Sequence, residues 1–302
     1  MRVTVLEAIQ KSTDFLGKKN VGSPRLQTEL LLAHLLQMPR MKLYLNFDRG
    51  LTTAETDALR GLVKRRGQRE PLQHITGSTS FCGFEIAVNR HVLIPRPETE
   101  LLAELGWQFL AERRPPARLE DDSHEHAGPE AGVPTVLDFG TGTGCIAIAL
   151  AAKCANAKIM ATDISNEALA LAKENAARNK IAERIEFLQG DGFATPVLHF
   201  DLIISNPPYI PSAEIAMLEP EVRDFDPGLA LDGGADGLNF YRMLAAQAKP
   251  FLKPGGKIML EFGDGQAGEI KKIFEGEKWI VEAVQEDYSQ RARILIARHQ
   301  SF

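Results

Sequence analysis

Thr135-Val136-Leu137-Asp138-Phe139-Gly140-Thr141-Gly142-Thr143-Gly144 is the stretch on which the fold turns. Five strand-type residues run straight into a glycine loop, and a helix begins immediately after. From here to the C-terminus the pattern alternates. Strands are expected at 135–139, 158–162, 184–188, 200–205, 257–262, 279–284 and 292–297, and helices at 143–154, 166–179, 237–249 and 265–275. Apolar strands alternating with helices specify a parallel, doubly wound α/β sheet with helices on both faces. The last two strands have no helix between them, so an antiparallel hairpin is expected through a turn near Ser289-Gln290.

The glycine loop lets the chain turn tightly and lets a ligand approach the backbone. The helix that follows presents free N–H groups at its start. The second strand ends in Asp163, 23 residues after Gly140. An acidic residue near that spacing is where a ribose diol is held. The loop reads GxGxG, not the GxGxxG of dinucleotide enzymes that cradle a pyrophosphate. S-adenosylmethionine has a ribose, an adenine and a zwitterionic tail but no pyrophosphate, and it suits this pattern. Gly140, Thr141, Gly142, Thr143, Gly144 and Asp163 are therefore the candidate cofactor residues. Asp163 also suits a cap for the helix starting near Ser165. The third strand ends in Gly190-Asp191-Gly192-Phe193, where Asp191 is placed to accept from an adenine amino group and Phe193 to pack on its ring, with Gly192 between them. A plain turn accounts for Gly-Asp-Gly equally well.

The fourth strand ends in Asn206-Pro207-Pro208-Tyr209. Doubly wound folds place their active sites at the carboxyl ends of such strands. A planar –NH2 group has a delocalised lone pair and is a poor nucleophile. The Asn206 side-chain oxygen and the Pro207 carbonyl can take its two N–H bonds and aim its lone pair at a sulfonium methyl. Prolines fix φ and lack N–H, so the corner is stiff and rich in acceptors. Tyr209 offers a face on which a planar group stacks. As the nitrogen becomes positive, both acceptors bind it more strongly, which is differential stabilisation of the transition state. The candidate catalytic residues are Asn206, Pro207 and Tyr209, with Pro208 joining them in binding substrate.

Upstream, residues 1–75 read as a small helical bundle. Val5, Ile9 and Leu16 fall near helical spacing, and the run from Leu26 to Leu36 is rich in leucine. Ser23-Pro24 has the form of a capping hydroxyl before a first-turn proline. Thr52 and Glu55 have capping-box spacing and open a helix reaching about Arg66. Lys64-Arg65-Arg66 reads as a solvated helix face. Residues 76–97 form a connector, with a hairpin expected from Ser80–Val88 and His91–Ile94 around Asn89-Arg90. Residues 98–302 are the catalytic domain, and Glu98 and Glu100 fall in the first turn of its first helix, which suits the helix dipole. Residues 113–134 carry few apolar side chains and read as a flexible insertion. His124 and His126 within it lack neighbouring ligands, so no metal site is expected.

Composition narrows the function classes. With 44% hydrophobic and 25% charged residues the chain is globular, not disordered. A net charge of −5 provides no basic stripe for nucleic acid. The three cysteines, Cys82, Cys145 and Cys154, form no CxxC pair, so neither a disulfide framework nor a zinc site is supported. No run of about 18 apolar residues or N-terminal signal core is visible, so a cytoplasmic protein without membrane partners is expected.

Taken together, the chain resembles the HemK/PrmC family of release-factor glutamine N5-methyltransferases. The resemblance rests on residues 137–144, on Ser205-Asn206-Pro207-Pro208-Tyr209-Ile210, on Leu93-Ile94-Pro95-Arg96-Pro97-Glu98-Thr99-Glu100, and on Ala230-Leu231-Asp232-Gly233-Gly234-Ala235-Asp236-Gly237-Leu238. The last two segments and the helical domain are the specific ones. The resemblance implies a class I, Rossmann-like S-adenosylmethionine methyltransferase domain. It implies, as substrate, the glutamine of the Gly-Gly-Gln loop in peptide-chain release factors, docked by the N-terminal bundle. The family often carries an aromatic residue after the third-strand acid. Here that place is Gly192, with Phe193 next to it.

Other readings use the same corner. A DNA adenine N6-methyltransferase acts on a flipped base, but it needs a basic groove and a target-reading domain. A glutamine methyltransferase of a ribosomal protein is a second enzyme reading, against which the 94–98 segment argues. A non-catalytic docking module would have no use for an intact Asn206-Pro207-Pro208-Tyr209.

Overall fold

The computed structural model describes residues 2–113, 133–190, 193 and 199–299. The expected insertion, with His124 and His126, lies outside the described residues apart from its flanks, and so do Asp191 and Gly192.

Five helices open the chain: α1 (Val5–Lys18), α2 (Pro24–Leu35), α3 (Arg40–Tyr44), α4 (Thr53–Gly67) and α5 (Leu72–Thr76). Thr52 and Glu55 form the expected capping box on α4, and Thr4 and Glu7 form a second on α1. Ser23 departs from expectation. It sits at φ 46° with no side-chain bond to the helix, and Pro24 alone marks the start of α2. The core of this part is Val5, Ile9, Leu16, Leu31, Leu32, Leu43, Leu59 and Val63.

The chain forms two compact units. One holds the residues up to Ser78 together with Val88–Arg90 and Leu218–Asp226. Within it, the short helix α9 (Pro220–Arg223) is held by charge. Glu221 receives Arg66 Nη2 at 2.7 Å and Arg69 Nε at 2.7 Å, and Glu219 receives Arg69 Nη2 at 2.8 Å. Arg66 is therefore not on a solvated face. It is 4% exposed and ion-paired, while Lys64 and Arg65 are exposed.

The second unit holds the remainder. Apart from Ser78, it contains the first strands, β1 (Ser78–Phe81) and β2 (Phe84–Ala87), which pair into a two-stranded sheet. The hairpin turn falls at Cys82-Gly83 and not at Asn89-Arg90, and His91–Ile94 is not a strand. Both turn residues have positive φ, 49° and 83°, the geometry whose twist matches paired strands.

Seven further strands build the main sheet: β3 (Thr135–Phe139), β4 (Lys158–Asp163), β5 (Ile185–Gln189), β6 (Phe200–Ser205), β7 (Leu252–Glu261), β8 (Trp279–Glu286) and β9 (Ala292–His299). Their order is β5-β4-β3-β6-β7-β9-β8. The first five pair in parallel, and β9 is antiparallel to both β7 and β8. The helices of this unit are α6 (Pro97–Glu112), α7 (Cys145–Lys153), α8 (Asn166–Arg178), α10 (Asn239–Gln247) and α11 (Ala267–Gly276).

Strand periodicity divides the core in two. Val136, Ile159, Leu202, Ile204 and Met259 face α6 and α7. Leu137, Met160, Ile203, Ile258 and Leu260 face α10 and α11. The sheet grows from β3 outward to β5, then returns to β6 on the other side. The switch point therefore lies between the carboxyl ends of β3 and β6, the place where such sheets open a crevice.

Candidate active site

Two loops meet at the switch point. The first leaves β3 at Phe139. Gly140, Gly142 and Gly144 have φ of 71°, 54° and 81°, a region that side chains with a Cβ rarely adopt. A Cβ at Gly140 or Gly142 would find nothing within 4 Å among the described residues, so toward them the loop is open on its outer side. Its inner side is tied down. Thr141 Oγ1 donates to Asp138 Oδ2 at 2.6 Å, Thr141 N donates to Thr162 O at 2.8 Å, and the Thr143 carbonyl accepts from Asn175 Nδ2 at 2.9 Å. Asp138 is fully buried. Burial pushes its carboxyl up to about 7, against the bonds from Thr141 and the Ala147 N–H, while the Asp163 charge pushes it further up.

Asp163 ends β4 with its carboxylate bridging the two adjacent turns. Oδ2 accepts from Gly142 N and Oδ1 from Ser165 N, both at 2.9 Å. It thus meets the glycine loop and also the start of α8. Each carboxylate oxygen keeps further acceptor capacity, as a ribose diol requires. An open backbone cradle beside a partly exposed carboxylate fits an adenosyl group carrying no pyrophosphate. Phe193 packs at 5.2 Å from the ring of Phe139, the residue before the glycine loop, and at 4.9 Å from that of Phe251.

The second loop leaves β6 at Ser205, whose Oγ donates to the Phe139 carbonyl at 2.6 Å. That bond ties the two loops together at their roots. Asn206 follows. Its Nδ2 donates to Thr99 Oγ1 at 3.1 Å, while its buried Oδ1 has no partner among the described residues. Pro207 is buried, and Pro208 and Tyr209 are half-buried. Burial, reinforced by the Glu261 charge, pushes the Tyr209 phenol up to about 12.

Three supports of this corner carry no signal near the motif itself. Gln266 Nε2 donates to the Tyr209 carbonyl at 2.9 Å, and its Oε1 accepts from Gly263 N at 2.9 Å. Gly237 lies so close that a Cβ there would stand 2.3 Å from the Tyr209 carbonyl oxygen. Glu261 ends β7 and is 2% exposed. Its carboxyl is pushed up to about 7 by burial, against hydrogen bonds from Thr99 and Asn206. Only the unusual Ala230–Leu238 segment hints at any of these, through Gly237. Among the described residues no cluster of His, Cys, Asp and Glu could hold a metal, and no helix is long and apolar enough to cross a membrane.

A mixed seven-stranded sheet with its last strand reversed, a glycine loop after the first sheet strand, an acid ending the second and an Asn-Pro-Pro-Tyr corner ending the fourth define a class I methyltransferase. The solved hMettl16 catalytic domain, in complex with the MAT2A 3′UTR hairpin 6, shares this fold at a TM-score of 0.52 and 14% identity, over 82% of each chain. Two family models match: the PrmC N-terminal domain over residues 7–77 and the methyltransferase small domain over residues 129–218. The release factor glutamine methyltransferase of Geobacter sulfurreducens is 43% identical over 273 residues, 90% of this chain and 88% of that one. That of Chlorobaculum tepidum is 37% identical over 96% of this chain and 95% of its own length. The chain belongs to the release factor glutamine methyltransferase family.

Proposed function

We propose that the chain transfers a methyl group from S-adenosylmethionine to the side-chain nitrogen of the glutamine in the Gly-Gly-Gln loop of peptide-chain release factors. The observation that carries this reading is the state of the Asn206 amide. Its nitrogen is engaged, and its oxygen is buried without a partner among the described residues. A buried acceptor left unfilled is costly unless a donor arrives, and an amide –NH2 is such a donor.

S-adenosylmethionine supplies an electrophilic methyl group on a sulfonium. Gly140, Thr141, Gly142, Thr143 and Gly144 would hold it, with Asp163 on the ribose and Asp191, Gly192 and Phe193 toward the adenine. Asn206 Oδ1 and the Pro207 carbonyl take the two N–H bonds of the glutamine amide, and Pro208 and Tyr209 border it. With its ionisation near 12, Tyr209 stays neutral and serves as a flat surface, not as a base. As the N–C bond forms the nitrogen becomes positive, and both acceptors hold it more tightly than in the ground state. The proton is lost only after that, when the nitrogen is acidic, so no group has to remove it beforehand.

The helical part, residues 1–75, serves as the docking element for the protein substrate, residues 76–97 as a connector, and residues 98–302 as the catalytic part. The same reading makes this a cytoplasmic enzyme acting on protein, without direct contact to nucleic acid or membrane. The test is incubation with labelled S-adenosylmethionine and, separately, a bacterial release factor, ribosomal proteins and DNA, followed by peptide mapping. Label on one glutamine of the release factor is the expected result. Label in adenine, or in ribosomal protein alone, overturns the substrate.

A further inference from the structure

A primary amide is nearly symmetric in shape, and Asn206 can do its work only one way round. Turned about, it would present N–H to N–H and repel the group it is meant to hold. What fixes its orientation is not in the Asn-Pro-Pro-Tyr corner. Asn206 Nδ2 donates to Thr99 Oγ1 at 3.1 Å. Thr99 is 3% exposed and lies in the first turn of α6, within the 93–100 segment, which the reaction as described leaves without a task. Behind it stands the Glu261 carboxyl, bonded by both Thr99 and Asn206, with Oε2 buried and without a partner of its own among the described residues.

We propose that Thr99 and Glu261 are positioning residues that lock the Asn206 amide with its oxygen toward the substrate nitrogen. The proposal rests on the role given above to Asn206. Above its ionisation near 7 Glu261 is a carboxylate, which only accepts hydrogen bonds. Facing Glu261, the Thr99 hydroxyl gives its proton to the carboxylate and turns a lone pair toward Asn206, which can meet it only with N–H. The direction of donation runs from Asn206 through Thr99 to Glu261, and Oδ1 is left for an incoming donor. Neighbouring strands hold the far end still. Ser205 pairs with Leu260, so Asn206 leaves β6 beside Glu261, and the Tyr241 hydroxyl donates to the Glu261 carbonyl at 2.7 Å.

The test compares Thr99→Val, Thr99→Ser, Glu261→Gln and Asn206→Ala by kcat and KM on a bacterial release factor and by calorimetric affinity for S-adenosylmethionine. Thr99→Val is expected to lower kcat about tenfold, roughly the worth of one hydrogen bond, with cofactor affinity unchanged. Thr99→Ser, which keeps the hydroxyl, should restore most of the turnover. Glu261→Gln should lower kcat too, because a glutamine amide can donate as well as accept and no longer imposes one direction. Wild-type kcat in both Thr99→Val and Glu261→Gln overturns the proposal, as does a Thr99→Ser enzyme no better than Thr99→Val, which would reduce Thr99 to packing. Should those variants fail while Asn206→Ala is inactive, the positioning role alone falls. Full turnover by Asn206→Ala would instead remove the reading of the corner itself.

Discussion

Gln266 spans the gap between two loops: its Nε2 donates to the Tyr209 carbonyl and its Oε1 accepts from the Gly263 N–H, each at 2.9 Å. The Asn-Pro-Pro-Tyr corner is thus anchored at its far end by a side chain from the start of α11. Gln266→Ala removes both bonds and frees the Tyr209 backbone. We expect kcat to fall about tenfold, the effect of losing one to two net hydrogen bonds, while S-adenosylmethionine binds as before. Steady-state kinetics with calorimetry checks this, and unchanged kcat would show that the corner holds its shape without the clamp.

Asp163 joins the glycine loop to the start of α8 through one carboxylate. Asp163→Ala removes the acceptor proposed for the ribose and releases the Gly142 N–H. Cofactor affinity should weaken by tenfold or more, since charge-assisted hydrogen bonds are worth roughly 1.5–3 kcal/mol. Titration calorimetry reads it directly. An unchanged dissociation constant would leave Asp163 only as a tie between turns.

Asn175 is fully buried in α8 and makes three bonds. Its Oδ1 accepts from Ala87 N at 2.8 Å, and its Nδ2 donates to Ala87 O at 3.0 Å and Thr143 O at 2.9 Å. Asn175→Leu strands all three backbone groups in a dry setting. A loss of about 3 kcal/mol in stability is expected, from the penalty for unsatisfied buried polar groups, and urea denaturation measures it. A change below about 1 kcal/mol would mean water reaches the site.

The pH dependence of stability follows from Glu261, whose carboxyl is raised to about 7 from an ordinary 4.5. The folded state then holds a proton that the unfolded state releases, so stability falls as pH rises between those values. Below 4.5 the penalty is absent, and above about 7 it is fully present. A shift of this size corresponds to roughly 3 kcal/mol. Asp138, also raised to about 7, adds a slope of the same sign. Glu261→Gln should therefore gain stability relative to wild type as pH is raised from 5 to 8. Parallel denaturation curves for the two proteins would contradict a raised Glu261 carboxyl in the fold.

The sequence by itself determined the alternating strands and helices, the glycine loop, the Asn-Pro-Pro-Tyr corner and the capping box at Thr52. Each is written within a dozen residues, in hydrophobic periodicity, in glycine φ or in a side chain that bonds its own helix. The tertiary structure decided everything that depends on residues meeting from afar. Thr99 and Asn206 stand 107 residues apart, Tyr209 and Gln266 57, and Arg66 and Glu221 155. Arg66 looked like a surface charge because a run of basic residues is silent about a carboxylate arriving from so far along the chain. The hairpin turn moved to Cys82-Gly83 because backbone twist at that point selects positive φ, and Asn89-Arg90 matched only in composition. Local chemistry is legible because it acts through short covalent distances. The supports of the Asn-Pro-Pro-Tyr corner are not, because packing alone chooses which distant side chain fills each hydrogen bond.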